Sequence, residues 1–210
     1  MIEIEHGSKQ FGDQKVLQDI NMQFEPGKIY GIVGRNGSGK TVLFKCLIGF
    51  VKLDEGTVKV NDQAVGKDID VIENTGIIIE TPGFLNDCNG FKNLKYLAML
   101  KKRISDAQIR EAIQMVGLDP SSKKRVGKYS LGMRQRLGIA QAIMEDPDNL
   151  ILDEPMNGLD NQGVADIRSL LLQLKEKGKT ILIASHNRED IDILCDHVWE
   201  MDKGIAQQMR

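Results

Sequence analysis

The sequence predicts an α/β fold built on a mostly parallel sheet, and three observations carry that prediction. Short apolar runs recur along the chain at Lys28–Val33, Gly76–Glu80, Leu150–Leu152 and Thr180–Ile183, with helical patterns between them. A glycine-rich octet, Gly34–Thr41 (GRNGSGKT), joins the first run to a helical pattern over Thr41–Ile48. A helical block from about Gly90 to Glu145 then interrupts the alternation, as an inserted subdomain would.

Each element follows from local pattern. Ile2 and Ile4 alternate with acids, and Ile20, Met22 and Phe24 alternate with polar residues, which is the period of half-buried strands. Lys28–Val33 is a buried strand, and Gly49 stops the helix that starts at Thr41. Thr57–Val60 is a strand closed by the turn Asn61-Asp62, and Gly76–Glu80 is a buried strand ending on a charge. Ser105-Asp-Ala-Gln108 predicts a capping box for a helix closing near Gly117. Leu150–Leu152 and Thr180–Ile183 are strands. Between them Val164, Ile167, Leu170, Leu171 and Leu174 mark one face of a helix that Gly178 ends. The expected organisation is a single domain over 1–210. Residues 1–80 and 147–210 form the α/β core with an N-terminal β-subdomain, and 81–146 the helical insertion.

Composition narrows the classes. A chain of 210 residues buries a substantial core, and a net charge of −2 gives no global attraction to nucleic acid or anionic lipid. No apolar run approaches the roughly 20 residues of a membrane span, and MIEIEHGSKQ has no signal-peptide core. Cys46, Cys88 and Cys195 are widely spaced and odd in number, which fits the reducing cytosol rather than a disulfide framework or a metal site. Cys46 and Cys195 are expected as core residues, and His6 and His197 as structural ones.

The octet carries the chemistry. It fits Gly-x-x-x-x-Gly-Lys-[Ser/Thr] at every fixed position. Gly34, Gly37 and Gly39 let the loop wind tightly, so that backbone N–H groups of the loop and the following helix start point at phosphate oxygens. Lys40 brings a charge to the outer phosphates of a nucleoside triphosphate, and the Thr41 hydroxyl suits Mg²⁺. Asn149–Glu154 is an apolar strand ending in two acids at the edge where open α/β sheets bind ligands. Asp153 there suits Mg²⁺, and Glu154 suits orienting or deprotonating a water.

With these motifs the chain resembles the ATP-binding-cassette (ABC) transporter ATPases over essentially its whole length. YSLGMRQR, Tyr129–Arg136, resembles the family signature: Ser130 and Gly132 match, whereas Leu131 replaces a glycine and Met133 a glutamine. Asp153–Asp160 resembles the Asp-Glu-Pro segment and its Asp loop, His186 falls at the switch histidine, and Phe11 matches the aromatic that stacks on adenine. The resemblance implies a P-loop NTPase core of RecA-like type, with an N-terminal antiparallel β-subdomain and an inserted α-helical subdomain. It implies ATP and Mg²⁺ as ligands: Phe11, Gly34, Arg35, Asn36, Gly37, Ser38, Gly39, Lys40, Thr41 and Val42 on the nucleotide; Thr41, Asp153 and Glu80 at the metal; Glu154, His186, Lys40 and Glu80 in catalysis. Two ATPs are implied between two cassettes, with Ser130, Gly132 and Asp160 acting across that interface. Ser130 is also expected to cap the helix that runs to about Met144.

The informative departure is Glu80, where the family usually has glutamine. An acid there resembles the bacitracin and lantibiotic export and immunity subgroup, and it adds a charge near Asp153 and Glu154. The resemblance implies an ATPase subunit that powers transport through a separate membrane subunit, and the subgroup implies export of a peptide antibiotic or drug. The chain would then lie at the inner face of the cell membrane, paired with an identical or different cassette and binding no nucleic acid. The segment from Glu80 to about Leu100 would dock the membrane partner. The alternative is a soluble cassette ATPase outside transport; an unrelated phosphate-loop kinase or GTPase explains neither YSLGMRQR nor His186.

Overall fold

The structure is a computed structural model that describes residues 1–80, 82–101 and 103–210. Two sheets organise it. Strands β1 (Ile2–Phe11), β2 (Gln14–Phe24), β4 (Glu55–Val60) and β5 (Gln63–Ala64) form an antiparallel sheet in the order β2-β1-β4-β5. The second sheet runs β10-β9-β3-β8-β7-β6, from β3 (Ile29–Val33), β6 (Thr75–Ile78), β7 (Asn149–Asp153), β8 (Thr180–Ala184), β9 (His197–Asp202) and β10 (Ile205–Gln208). All its pairings are parallel except the closing hairpin β9–β10.

The apolar runs are explained by burial on both faces. Ile181 and Ile183 of β8 and Leu150 and Leu152 of β7 enter one core. Leu182, Ala184 and Ile151, alternating with them, enter the other. That second core gathers Ile2, Ile4 and Phe24 of the antiparallel sheet around α1 (Lys40–Leu47), whose Leu43, Phe44 and Leu47 are fully buried. The first core holds α5 (Asn161–Glu176) against the sheet. It continues without a break into α2 (Gly90–Lys101), α3 (Asp106–Met115) and α4 (Leu131–Ile143), which lie in sequence between β6 and β7.

Capping sets the helix starts. Ser105 and Gln108 form the reciprocal capping box before α3, and Asp160 accepts from Gly163 N at 2.8 Å at the start of α5. Burial pushes the Cys46 thiol up to about 11 and the Cys195 thiol up to about 12, so neither is a thiolate at neutral pH. His197 stacks on Tyr30 with ring centroids 5.2 Å apart, whereas His6 is exposed and bonds Asp19 at 2.8 Å.

One sequence expectation is corrected here. The strand over Gly76–Glu80 stops at Ile78, and Glu80 takes left-handed backbone, φ 61°. The C-terminal elements had no clear pattern: α6 (Arg188–Leu194) is short and acid-rich, and β9 buries only Val198 and Met201 among polar residues.

α6 is held by charge. Asp190 is 2% exposed, and Arg168 of α5 reaches it through Nε at 2.8 Å and Nη2 at 2.6 Å. Asp190→Ala leaves Arg168 with only the exposed Glu189. Denaturant unfolding is expected to show a loss of about 2–3 kcal/mol, below the ~3–5 kcal/mol of a wholly buried broken pair.

Candidate functional site

The loop from Gly34 to Gly39 leaves the carboxyl end of β3 and enters α1, and its path depends on glycine at two points. Gly34 has φ 151°, and a Cβ there would lie 2.3 Å from the Met201 carbonyl. Gly39 has φ 109°, and a Cβ would lie 2.7 Å from the Val16 carbonyl. Wound this way, the loop encloses two polar groups. The Ser38 hydroxyl is the one buried side-chain polar atom without a partner among the described residues. Lys40 is 7% exposed and donates to the carbonyls of Gly34 at 2.8 Å and Arg35 at 3.2 Å. No carboxylate within salt-bridge distance neutralises its charge among the described residues. A buried ammonium beside an unpaired hydroxyl fits a polyphosphate, which supplies both the charge and the acceptors.

Thr41, the next residue, donates its hydroxyl to Asp153 Oδ2 at 2.6 Å, which joins α1 to the end of β7. These are two hard oxygen donors. No cluster of three metal-ligating His, Cys, Asp or Glu exists among the described residues. That donor set fits Mg²⁺, which takes one or two protein oxygens and completes its shell with phosphate and water.

Glu154 follows on left-handed backbone, φ 51°, with its N–H on the Ala184 carbonyl of the adjacent β8 at 2.9 Å. Its Oε2 lies 2.9 Å from His186 Nδ1. Strand neighbours thus deliver acid and imidazole to one spot. His186, expected in catalysis as the switch histidine, contacts Glu154 and lines a neighbouring cavity of about 650 Å³ with Gly34 and Arg35.

A cavity of about 570 Å³ brings together Asn36, Gly37, Gly39, Lys40, Thr41, Val42, Glu80, Asp153 and Glu154. Phe11 lies at the end of β1, 50% exposed with the Lys9 ammonium 5.3 Å from its ring centroid, so it is no core residue. Ser130 caps α4, accepting from Met133 N at 3.2 Å. Neither Ser130, Gly132 nor Asp160 lines the chain's own cavity. Leu131, the substitution for glycine, is the first residue of α4, outside the left-handed region, so the helix start asks for no glycine there. Its exposed side chain packs on Gly158 and lines the cavity.

Glu80 differs most from expectation. Its carboxylate accepts from Lys45 Nζ at 2.6 Å. The negative charge expected to crowd Asp153 and Glu154 therefore has its own counter-ion on α1. Sequence reasoning missed Lys45, and it missed Gln135 as well. The Gln135 amide on α4 donates to the carbonyls of Glu154 at 3.2 Å and Pro155 at 3.1 Å. Val16 and Gln14 of β2 also line the cavity. Gln135 lies within the signature segment Tyr129–Arg136, but a polar residue that reaches another element's backbone leaves no periodic trace, so its partners were not foreseen.

Comparison with known proteins identifies the family and the fold. The model of the ABC transporter family matches residues 17–157. The chain is 46% identical over 204 residues to the uncharacterized ABC transporter ATP-binding protein YybJ of Bacillus subtilis (strain 168), covering 97% of this chain and 94% of that one. It is 43% identical over 206 residues to the bacitracin transport ATP-binding protein BcrA of Enterococcus faecalis, covering 97% of this chain and 67% of that protein. The fold matches the dimeric structure of MJ0796, a bacterial ABC transporter cassette, with a TM-score of 0.88 at 20% identity over 100% of this chain and 99% of the other. The chain belongs to the ABC transporter family, as an ATP-binding subunit whose relatives include those of antibiotic transport systems.

Proposed function

We propose that this chain hydrolyses ATP with Mg²⁺ to power export of a peptide antibiotic through a separate membrane subunit, working as one of two paired cassettes. The observation that carries the reading is the buried, uncompensated Lys40 ammonium beside the Thr41–Asp153 pair. The loop N–H groups from Gly34 to Val42 and Lys40 bind the phosphates, and exposed Phe11 receives the adenine ring. Thr41 and Asp153 would hold Mg²⁺, which would supply positive charge against the phosphates. Glu154 accepts a proton from the attacking water, and His186 fixes the carboxylate that does so. Ser130, Gly132 and Asp160, outside the chain's own cavity, serve the partner cassette's nucleotide. The helix start behind Ser130 offers positive backbone to its outer phosphate. Residues 81–146 act as the helical arm that carries this signature.

The likeness to BcrA supports antibiotic export over a soluble cassette ATPase. No described helix is long and apolar enough to cross a membrane, and the pore is assigned to a separate subunit. On this reading the chain works at the cytoplasmic face of the membrane. Purification of the detergent-solubilised native complex tests it: a multi-span membrane protein should accompany the chain, and its absence from the purified complex counts against transport.

Three variants test the residue roles. Glu154→Gln keeps the side-chain shape but removes the base. Steady-state hydrolysis should fall by roughly 10²-fold or more, while ATP binding persists and sizing chromatography with ATP shows a dimer. A monomer with unchanged hydrolysis overturns the assignment. Lys40→Ala removes a charged hydrogen bond worth about 1.5–3 kcal/mol. Calorimetry should therefore record an affinity for ATP lower by about tenfold or more. Gln135→Leu frees the backbone under Glu154. It should lower kcat about tenfold with little change in KM, since small misplacement of a reacting group slows chemistry more than binding.

A further inference from the structure

The Lys45–Glu80 contact is a piece of site architecture that the reading above leaves unused. Lys45 lies one helical turn beyond Thr41 on α1, so the two residues share a face of that helix. The Lys45 ammonium meets Glu80 Oε1 at 2.6 Å. Glu80 itself lines the cavity that holds Thr41, Asp153 and Glu154, whereas Lys45 does not. The Glu80 backbone is left-handed, φ 61°, although it is no glycine; such backbone persists where surrounding structure holds it. On its far side the chain is anchored: Pro82 packs on Gly138 of α4, and Leu85 N bonds Asn93 Oδ1 of α2 at 2.7 Å. The carboxylate is thus an acid on the wall of the nucleotide cavity, tied by one cation to the helix that carries the phosphate loop. With side chains 30% and 65% exposed, the pair is screened by water and weak, so a stronger charge can outbid it.

We propose that Lys45 is a positioning residue for Glu80. It holds the carboxylate against α1, and a divalent cation entering at Thr41 and Asp153 draws the carboxylate away by competing for its charge. The link from metal to the anchored segment after Glu80 is then an exchange of partners, lysine for metal, made possible by glutamate where a neutral amide would bind Lys45 less strongly. The inference rests on the metal-side reading of Glu80, so the test separates the two.

The measurement is Mn²⁺ binding, followed by electron paramagnetic resonance with a non-hydrolysable ATP analogue. It compares the wild-type chain, Lys45→Met, Lys45→Arg, Glu80→Gln and the Lys45→Met/Glu80→Gln double variant, each first checked by thermal unfolding. Lys45→Met should tighten Mn²⁺ binding about 3- to 10-fold, the order of one charged contact. Lys45→Arg, which keeps the charge, should stay near wild type. In the Glu80→Gln background, Lys45→Met should have less than about a twofold effect, because the competition has lost its object. Equal tightening in both backgrounds makes Lys45 a remote charge only and overturns the proposal. No tightening by Lys45→Met while Glu80→Gln weakens Mn²⁺ overturns the role of Lys45 and leaves the reading of Glu80 standing. No effect from either single variant overturns both.

Discussion

The site depends on one buried charge. Lys40 lies inside the chain with two loop carbonyls as its hydrogen-bond partners. An ammonium in that position is costly unless an anion joins it. The fold tolerates the cost because the loop is held at both ends, with Arg35, Asn36 and Gly37 exposed between them. β3 lies between β9 and β8 in the sheet, and α1 is buried between the two sheets. Met201 and Val16 press the loop so closely that glycine is required at Gly34 and Gly39. With both ends of the loop fixed, the lysine keeps only carbonyl partners and its charge stays available to phosphate. Preorganisation of this kind is what electrostatic binding and catalysis ask of a scaffold.

What the sequence made legible follows from how local each cause is. The glycine-rich loop, the capping box at Ser105 and Gln108, and the cap of α4 at Ser130 are contained within a few residues, and each stands where its pattern placed it. The parallel strands were legible because burial on both faces leaves no room for polar alternation. Glu80 was read as a strand terminus because Ile77-Ile-Ile79 continues the apolar run, yet pairing with β7 stops at Ile78. Lys45 and Gln135 were not legible at all. Each acts on a residue far away in sequence, Lys45 on Glu80 and Gln135 on the carbonyls of Glu154 and Pro155.

Glu154 shows why the parallel sheet matters to chemistry and not only to stability. β7 and β8 are paired in register from Asn149↔Thr180 to Asp153↔Ala184. Continued by one residue, that register sets Glu154 opposite Ser185. His186, one residue further, reaches the Glu154 carboxylate at 2.9 Å, while the Glu154 N–H bonds the Ala184 carbonyl. The two strands enter both cores, so a displacement of either strand would disturb packing on both faces. Beyond His186, α6 is fixed by the Asp190–Arg168 pair, which limits how far the imidazole can drift.

α4 ties this centre to the surface. Its cap, Ser130, and its first residue, Leu131, face away from the core, with Leu131 62% exposed and resting on Gly158. One turn further, Gln135 grips the backbone of Glu154 and Pro155. The same rigid helix therefore touches the loop 154–158 at both ends, at Glu154 through Gln135 and at Gly158 through Leu131. A force applied at the exposed start of α4, by whatever binds there, reaches the backbone of Glu154 through hydrogen bonds and packing rather than through a flexible linker. Close packing transmits such displacements because the interior has no free volume in which to absorb them. The exposed start of α4 and the half-buried Glu154 are, in mechanical terms, one body.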